Sequence, residues 1–324
     1  FVPALRAGIR EEMRRDSTVF CIGEDIGIPG GFGGAFTVTL GLSDEFGHER
    51  ILDTPISELG LTGIAVGAAM AGLRPIADVQ YADFLFLAMD QLANQAAKMT
   101  YMSGGTVKVP LVMRAPVGAT ARGSQHAQSL EAFFCHVPGL KVVAPSTAYD
   151  AKGLLKSAVR DDNPVIIFEH KLLYGSKGPR TEKGALSPVG EVPDADYVVP
   201  IGKGIIRRPG KDVTIIGKLL TMYRALAAAD ILAKDGIEAE VIDPRTLVPL
   251  DKELILAIPM FILCGGVMTK GSTARRLIDI AAALTSHLPG GLAVACVLSC
   301  RVFAAISGSS IVTMLAVGTV MLPA

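Results

Sequence analysis

The sequence predicts an α/β protein: a mostly parallel sheet with helices on both faces, followed by a tail of different character. Three observations carry this. Short runs rich in β-branched residues alternate with helical stretches as far as about Glu253. Those runs are apolar almost throughout, as strands buried on both faces must be. Beyond Glu253 charged residues become sparse.

The expected strands are 18–22, 75–80, 109–114, 141–144, 165–168, 213–216 and 239–242. Between them, apolar residues at helical spacing mark helices at 2–15, 57–72, 86–99, 148–160 and 221–234. Residues 172–212 are rich in Gly, Pro, Lys and Asp with weak periodicity. They read as a linker to a second α/β domain that begins near Lys211.

A chain of 324 residues holds two ordinary domains or one large one. The 31 basic and 31 acidic side chains cancel, so no global charge points to nucleic acid. Half of the residues are hydrophobic and mean hydropathy is +0.44, high for a soluble enzyme. Cys21, Cys135, Cys264, Cys296 and Cys300 form no CxxC pair and read as buried thiols, not zinc ligands or disulfides. No signal peptide is visible, and the chain, opening at Phe1 and stopping at Ala324, reads as a fragment at both ends.

The most informative stretch is Asp53-Thr54-Pro55-Ile56-Ser57-Glu58-Leu59-Gly60-Leu61-Thr62. It sets one carboxylate, Glu58, before an apolar run over 64–73 that has no charge until Arg74. Two readings are open. Glu58 is a first-turn acid offsetting the helix dipole, with Ser57 or Thr54 as cap. Alternatively it is an acid that is costly to desolvate unless a ligand, such as a cofactor nitrogen, binds it.

Further blocks run in a fixed order: Gly23-Glu24-Asp25-Ile26-Gly27, Tyr81-Ala82-Asp83-Phe84, Gln125-His126-Ala127-Gln128-Ser129, Pro138-Gly139-Leu140-Lys141-Val142-Val143, Arg160-Asp161-Asp162-Asn163-Pro164-Val165 and Ile242-Asp243-Pro244-Arg245-Thr246-Leu247. Over about 250 residues they resemble the β subunit of the decarboxylating component of 2-oxo acid (pyruvate or branched-chain) and acetoin dehydrogenase complexes. The resemblance implies a transketolase-like pyrimidine-binding domain over 1–190, then a linker and a truncated transketolase C-terminal-like domain over 191–253. It implies a cytoplasmic enzyme subunit that uses thiamine diphosphate for oxidative decarboxylation with acyl transfer to lipoamide. Glu58 matches the glutamate that hydrogen-bonds the pyrimidine nitrogen and activates the cofactor. Phe84 matches the aromatic that stacks on the pyrimidine; alone it would read as a core phenylalanine. His126 matches a histidine at the substrate entrance, suited to orienting a carboxylate or passing a proton; alone it reads equally as a surface histidine.

His136 matches a family position too and is expected to pack or support. His48, His170 and His287 carry no functional expectation. Leu111, Ala158, Val159, Asp161 and Asn163 match a structural potassium site of hard oxygen donors, although residues 160–163 also read as a commonplace charged turn. The Gly-rich run 30–34 reads as a flexible loop, not a phosphate cradle. The Gly-Asp-Gly motif that holds Mg²⁺ and the diphosphate is absent, Lys234-Asp235-Gly236 being the nearest. The resemblance therefore implies an α subunit that holds Mg²⁺, in an α₂β₂ heterotetramer that serves a lipoyl acyltransferase core.

From Leu254 the text changes. Leu256-Ala257-Ile258-Pro259-Met260-Phe261, Leu288-Pro289-Gly290-Gly291-Leu292-Ala293 and Phe303-Ala304-Ala305-Ile306-Ser307-Gly308-Ser309-Ser310 resemble the large permease subunit of tripartite ATP-independent periplasmic (TRAP) transporters. Residues 302–322 are uncharged over a length that spans a bilayer as helix. Residues 254–324 are thus expected to form a hydrophobic, helical, membrane-type tail with membrane association through it. The alternative function is a fragment or fusion of a TRAP-type dicarboxylate permease.

Overall fold

The structure is a computed structural model, and it describes residues 1–28, 30–120, 123–175, 189–255, 280, 283–285 and 297. Helix α1 (Val2–Arg15) starts with Pro in its first turn and ends on Arg14 and Arg15, the polarity its dipole favours. Strand β1 (Val19–Gly23), helix α2 (Leu42–Phe46), strand β2 (Ile51–Asp53), helix α3 (Glu58–Met70) and strand β3 (Arg74–Asp78) follow. One helix was expected over 86–99. The chain instead makes a 3₁₀ turn (Ala82–Phe86), a π turn (Gln91–Ala96) and helix α4 (Ala97–Met102). Then come β4 (Val112–Val117), α5 (Glu131–Cys135), β5 (Lys141–Val143), α6 (Ala148–Arg160) and β6 (Val165–His170). Strands β7 (Ile205–Arg208) and β8 (Val213–Ile216), helix α7 (Leu220–Lys234), and strands β9 (Ala239–Asp243) and β10 (Thr246–Val248) complete the described elements.

The main sheet has the order β10-β5-β6-β4-β3-β1-β2, parallel except for β10, which lies antiparallel on β5. Successive strand residues feed opposite faces. Phe20, Ile22, Ile166 and Phe168 join Leu61, Ala65, Leu92 and Phe134 on one side. Val19, Cys21, Val165 and Ile167 join Leu5, Ile9, Met13, Leu154 and Leu155 of α1 and α6 on the other. Burial on both faces explains why these strands read as continuous apolar runs.

A second sheet has the order β7-β9-β8, with β8 parallel and β7 antiparallel to β9. Helix α7 covers it through Ala225 and Ala229 against Ala239 and Val241. Strand β7 lies inside the stretch read as linker. It is a half-buried edge strand carrying Arg207 and Arg208, so it shows no apolar run. The two sheets are tied through Asp150, fully buried in the first turn of α6. Its carboxylate accepts from the Thr147 hydroxyl at 2.6 Å, from Arg245 at 3.2 Å and from Arg207, which also bonds Asp243 at 2.9 Å.

The chain divides into two compact units, 1–251 and 252–324. The expectation of a membrane-type helical tail, and of membrane association through it, is corrected here. Among the described residues no helix is long and apolar enough to cross a membrane. A spanning helix needs about 20 apolar residues in succession, whereas the described helical residues at the start of this unit, 252–255, make one turn that carries Lys252 and Glu253. The uncharged run 302–322 lies outside the described residues.

At the centre of the main sheet sits an ion cluster that crosses three strands. Arg114 on β4 is 1% exposed and grips Glu169 on β6 with two hydrogen bonds, 3.0 and 2.7 Å, while pairing with Asp78 on β3. The Tyr174 hydroxyl donates to Glu169 at 2.6 Å. Two carboxylates share one guanidinium, and burial outweighs the attraction of Arg114 at Asp78, whose pKa is pushed above the ordinary carboxylate range. Removing the cation strands both acids. Arg114→Met is expected to destabilise unit 1–251 by about 3–5 kcal/mol. Denaturant unfolding checks this, and an unchanged midpoint would exclude a structural role for the cluster.

Candidate active site

Strands β1, β2, β3, β4 and β6 bring their C-terminal ends to one side of the sheet. Open parallel sheets bind ligands on that side, where the strand order reverses. The reversal falls at β1, which has β2 on one flank and β3 on the other. The turns leaving these strands enclose a cleft of about 500 Å³. Glu24 enters it after β1, Ile56 and Glu58 after β2, Gln80, Tyr81 and Phe84 after β3, and His126 from the turn after β4. Three residues singled out from sequence, Glu58, Phe84 and His126, therefore line one cavity.

Glu58 is the first residue of α3. Ser57 is the cap, its hydroxyl accepting from the Gly60 N–H at 3.2 Å. The cap reading thus holds for Ser57 and leaves the Glu58 carboxylate for other work. Glu58 is 8% exposed, and its carboxylate has no hydrogen-bond donor or cation among the described residues. The surroundings are acidic as well. Burial, followed by the charges of Asp25, Glu58 and Asp53, raises the Glu24 pKa above its ordinary value. A cleft with this charge suits a ligand that brings N–H or cationic groups to meet the acids.

Phe84 lies in the 3₁₀ turn after β3, and His126 in another 3₁₀ turn, Ser124–His126. The His126 ring stands nearly perpendicular to those of Tyr81 and Phe84, with ring centres 4.4 and 5.3 Å apart, and the centres of Tyr81 and Phe84 are 6.0 Å apart. Asp83 braces this corner by accepting from the Gln128 backbone at 3.3 Å and its side chain at 2.8 Å. Gln80 accepts from the Ala35 N–H at 2.9 Å and donates to the Glu24 carbonyl at 2.7 Å. The Gly-rich run 30–34 approaches this corner through Gly33. Gly33 is buried at φ +68°, and a Cβ on it would lie 2.1 Å from the Leu40 nitrogen. Sequence reasoning missed Gln80, Tyr81 and Asp83. Tyr81 and Asp83 stood in a recognisable block, but nothing in the block separates a ring that faces a ligand from side chains that brace it.

The residues matched to a potassium site lie at the opposite end of the sheet, before β4 and between α6 and β6. Their oxygens already accept hydrogen bonds. Leu111 accepts from Val165 at 2.8 Å and Ala158 from Asp161 at 3.2 Å, and Arg74 donates to the carbonyls of Val159 at 2.9 Å and Asp161 at 3.0 Å. The Asn163 amide is bound to the Asp161 carboxylate at 2.8 Å. A guanidinium thus serves two of these oxygens, each of which keeps a second lone pair. Among the described residues no group of three or more His, Cys, Asp or Glu side chains is arranged to hold a metal. His136 follows α5, is exposed, and does not line the cleft.

This fold and cleft define the class. The family described as the transketolase pyrimidine-binding domain matches residues 2–177. The chain is 49% identical over 257 residues to the 2-oxoisovalerate dehydrogenase subunit beta of Bacillus subtilis (strain 168), covering 79% of this chain and 74% of that one. It is 48% identical over 261 residues to the acetoin:2,6-dichlorophenolindophenol oxidoreductase subunit beta of Cupriavidus necator, with 78% and 73% covered. It is 47% identical over 253 residues to the mitochondrial pyruvate dehydrogenase E1 component subunit beta of Bos taurus, with 78% and 67% covered. A solved structure titled a split-gene transketolase, inactive β4 tetramer, superposes with a TM-score of 0.61 at 26% identity, covering 78% of this chain and 74% of that one. The chain belongs to the β subunits of the thiamine-diphosphate-dependent 2-oxo acid dehydrogenases, enzymes whose β subunit works with an α partner. Residues 206–324 also match the family described as the DctM component of the tripartite ATP-independent periplasmic transporter. That match begins upstream of the change of text seen at Leu254 and overlaps the second sheet.

A second cavity, about 310 Å³, opens between the turn after β4 and the start of α7, with His170, Glu131, Lys218 and Arg224 on its walls. Lys218 pairs with Glu131. The His170 Nδ1 accepts from the Leu172 N–H at 3.2 Å. Burial, followed by the charge of Lys171, pushes the His170 pKa down from 6.5 to about 4. The folded protein therefore holds His170 neutral at pH values where the unfolded chain binds a proton. Stability is fully present above pH 6.5 and falls as pH drops from 6.5 towards about 4, by up to about 3 kcal/mol. His170→Asn, whose amide oxygen can accept from Leu172, is expected to flatten that window in urea unfolding at pH 4.5 and 7. Equal pH sensitivity in the two proteins would assign the acid loss to other groups.

Proposed function

We propose that this β subunit supplies the pyrimidine-binding half of a thiamine diphosphate site, with Glu58 holding the ring nitrogen, Phe84 against the ring and His126 at the substrate entrance. The observation that carries the reading is the Glu58 carboxylate, nearly buried in the cleft with no partner among the described residues. A heterocycle bearing a protonatable nitrogen fits it, and the aromatic rings of Phe84 and Tyr81 fit its faces. When bound, the cofactor supplies the nucleophilic carbon and the electron sink for cleavage beside a carbonyl. Glu58 would hold a proton at the ring nitrogen. His126, partly exposed at the rim, orients the carboxylate of a 2-oxo acid or moves a proton at its imidazole.

The diphosphate and its Mg²⁺ fall to the α subunit, because this chain has no Gly-Asp-Gly motif and no described acidic metal cluster. The wall that α₂β₂ assembly covers is apolar: Ile56, Leu59, Ile64 and Leu87 are 76%, 50%, 57% and 60% exposed beside the cleft or along α3. The substrate class is a 2-oxo acid such as pyruvate or a branched-chain acid, or acetoin, with the acyl group passed to a lipoyl acyltransferase core. A potassium ion at Leu111, Ala158, Val159, Asp161 and Asn163 would share the Val159 and Asp161 carbonyls with Arg74. The domains we assign are 1–190 for pyrimidine binding, 191–253 for the linker and shortened C-terminal-like part, and 254–324 for the permease-like segment.

With the α subunit and thiamine diphosphate added, Glu58→Ala is expected to lose at least about 10²-fold in 2-oxo acid-dependent dye reduction while still assembling. Activity within about threefold of wild type would remove Glu58 from the mechanism. Ile64→Lys is expected to prevent α₂β₂ formation, read as mass by light scattering after gel filtration. A heterotetramer of normal mass would move the interface elsewhere.

A further inference from the structure

Lys171 has no counterpart in the roles discussed so far, yet it is the buried cation nearest the His126 turn. It follows directly on β6, is 5% exposed, and its ammonium donates to the carbonyl of His126. The same ammonium lies 4.9 Å from the centre of the Tyr81 ring, and the near-perpendicular His126 imidazole has its centre 4.4 Å from the centre of that ring. A buried ammonium stays charged only where acceptors and ring faces replace water, so these contacts are obligatory for the lysine. For the turn they matter equally. His126 sits in a three-residue 3₁₀ turn with no side-chain cap, whose one described internal bond is the 3.3 Å contact from the His126 N–H to Gly123. Position must come from outside. Asp83 holds Gln128 on one side and Lys171 holds His126 on the other. Lys171 itself is anchored two residues from Glu169 in the Arg114 cluster.

Resting on the reading of His126 given above, we infer that Lys171 is a positioning residue for the reaction: it sets the His126 imidazole in the cleft by clamping that residue's carbonyl and backing the Tyr81 ring. Displacement of a reacting group by about 1 Å can cost 10²-fold in rate. The fully assembled enzyme, with α subunit and thiamine diphosphate, carries the test. Lys171→Met is expected to lower kcat about 10- to 100-fold with the KM for thiamine diphosphate within threefold. Lys171→Arg, which keeps a cationic donor, is expected to recover most of that loss. The decisive readout is the double variant. If Lys171 acts through His126, then Lys171→Met adds no further loss in a His126→Ala background. Losses that multiply, or a fully active Lys171→Met enzyme, would overturn the inference while leaving His126 in place. A fully active His126→Ala enzyme would instead remove the reading of His126 on which it rests. Should Lys171→Met fail to fold, Lys171→Gln carries the same cycle, with the same outcomes deciding it.

Discussion

Arg114 binds Glu169 with a two-pronged hydrogen bond and pairs with Asp78 in the middle of the main sheet, and the geometry of the cleft depends on that cluster. Parallel strands have no hairpins to set their relative heights. In this chain a buried guanidinium joins β3, β4 and β6 close to the ends from which the site residues leave. Asp78 stands two residues before Gln80 and three before Tyr81, and Glu169 stands two before Lys171. A shift of either strand would move the cleft wall with it. Buried ion clusters are poor sources of net stability but strong constraints on alternative packings, because each misplaced member leaves a charge without a partner.

The same economy of charge runs through the cleft. Its described walls gather Glu24, Asp25 and Glu58, and the cations closest to this region are turned to structural tasks, Lys171 to a backbone carbonyl and Arg114 to its two acids. On the proposed reading, the acid left without a donor there is the one that a ligand meets. That division explains how one short helix start serves two purposes. Ser57 satisfies the helix N-terminus, and Glu58, one residue on, is left to face the cavity.

Two corrections share a cause. The run over 86–99 read as one helix because its apolar residues recur at helical spacing, but the chain changes from 3₁₀ to π to α within it, a choice made by packing over the cleft and against α3. The stretch 172–212 read as linker because an edge strand half open to solvent, with two arginines, has no apolar run to announce it. Its arginine Arg207 reaches Asp150 and Asp243, contacts that exist only once both sheets are assembled.

What the sequence determined by itself was local or repeated in pattern: the doubly covered parallel sheet, from strands apolar on both faces; the family, from ordered blocks over about 250 residues; and the position of Glu58 at the head of an apolar helix. Which side chains share the cleft was decided by tertiary structure alone. Lys171 lies 45 positions from the carbonyl it holds, and Arg114 lies 55 from Glu169. No spacing rule links such residues, because the distance between them is set by strand order in the sheet and not by the path of the chain.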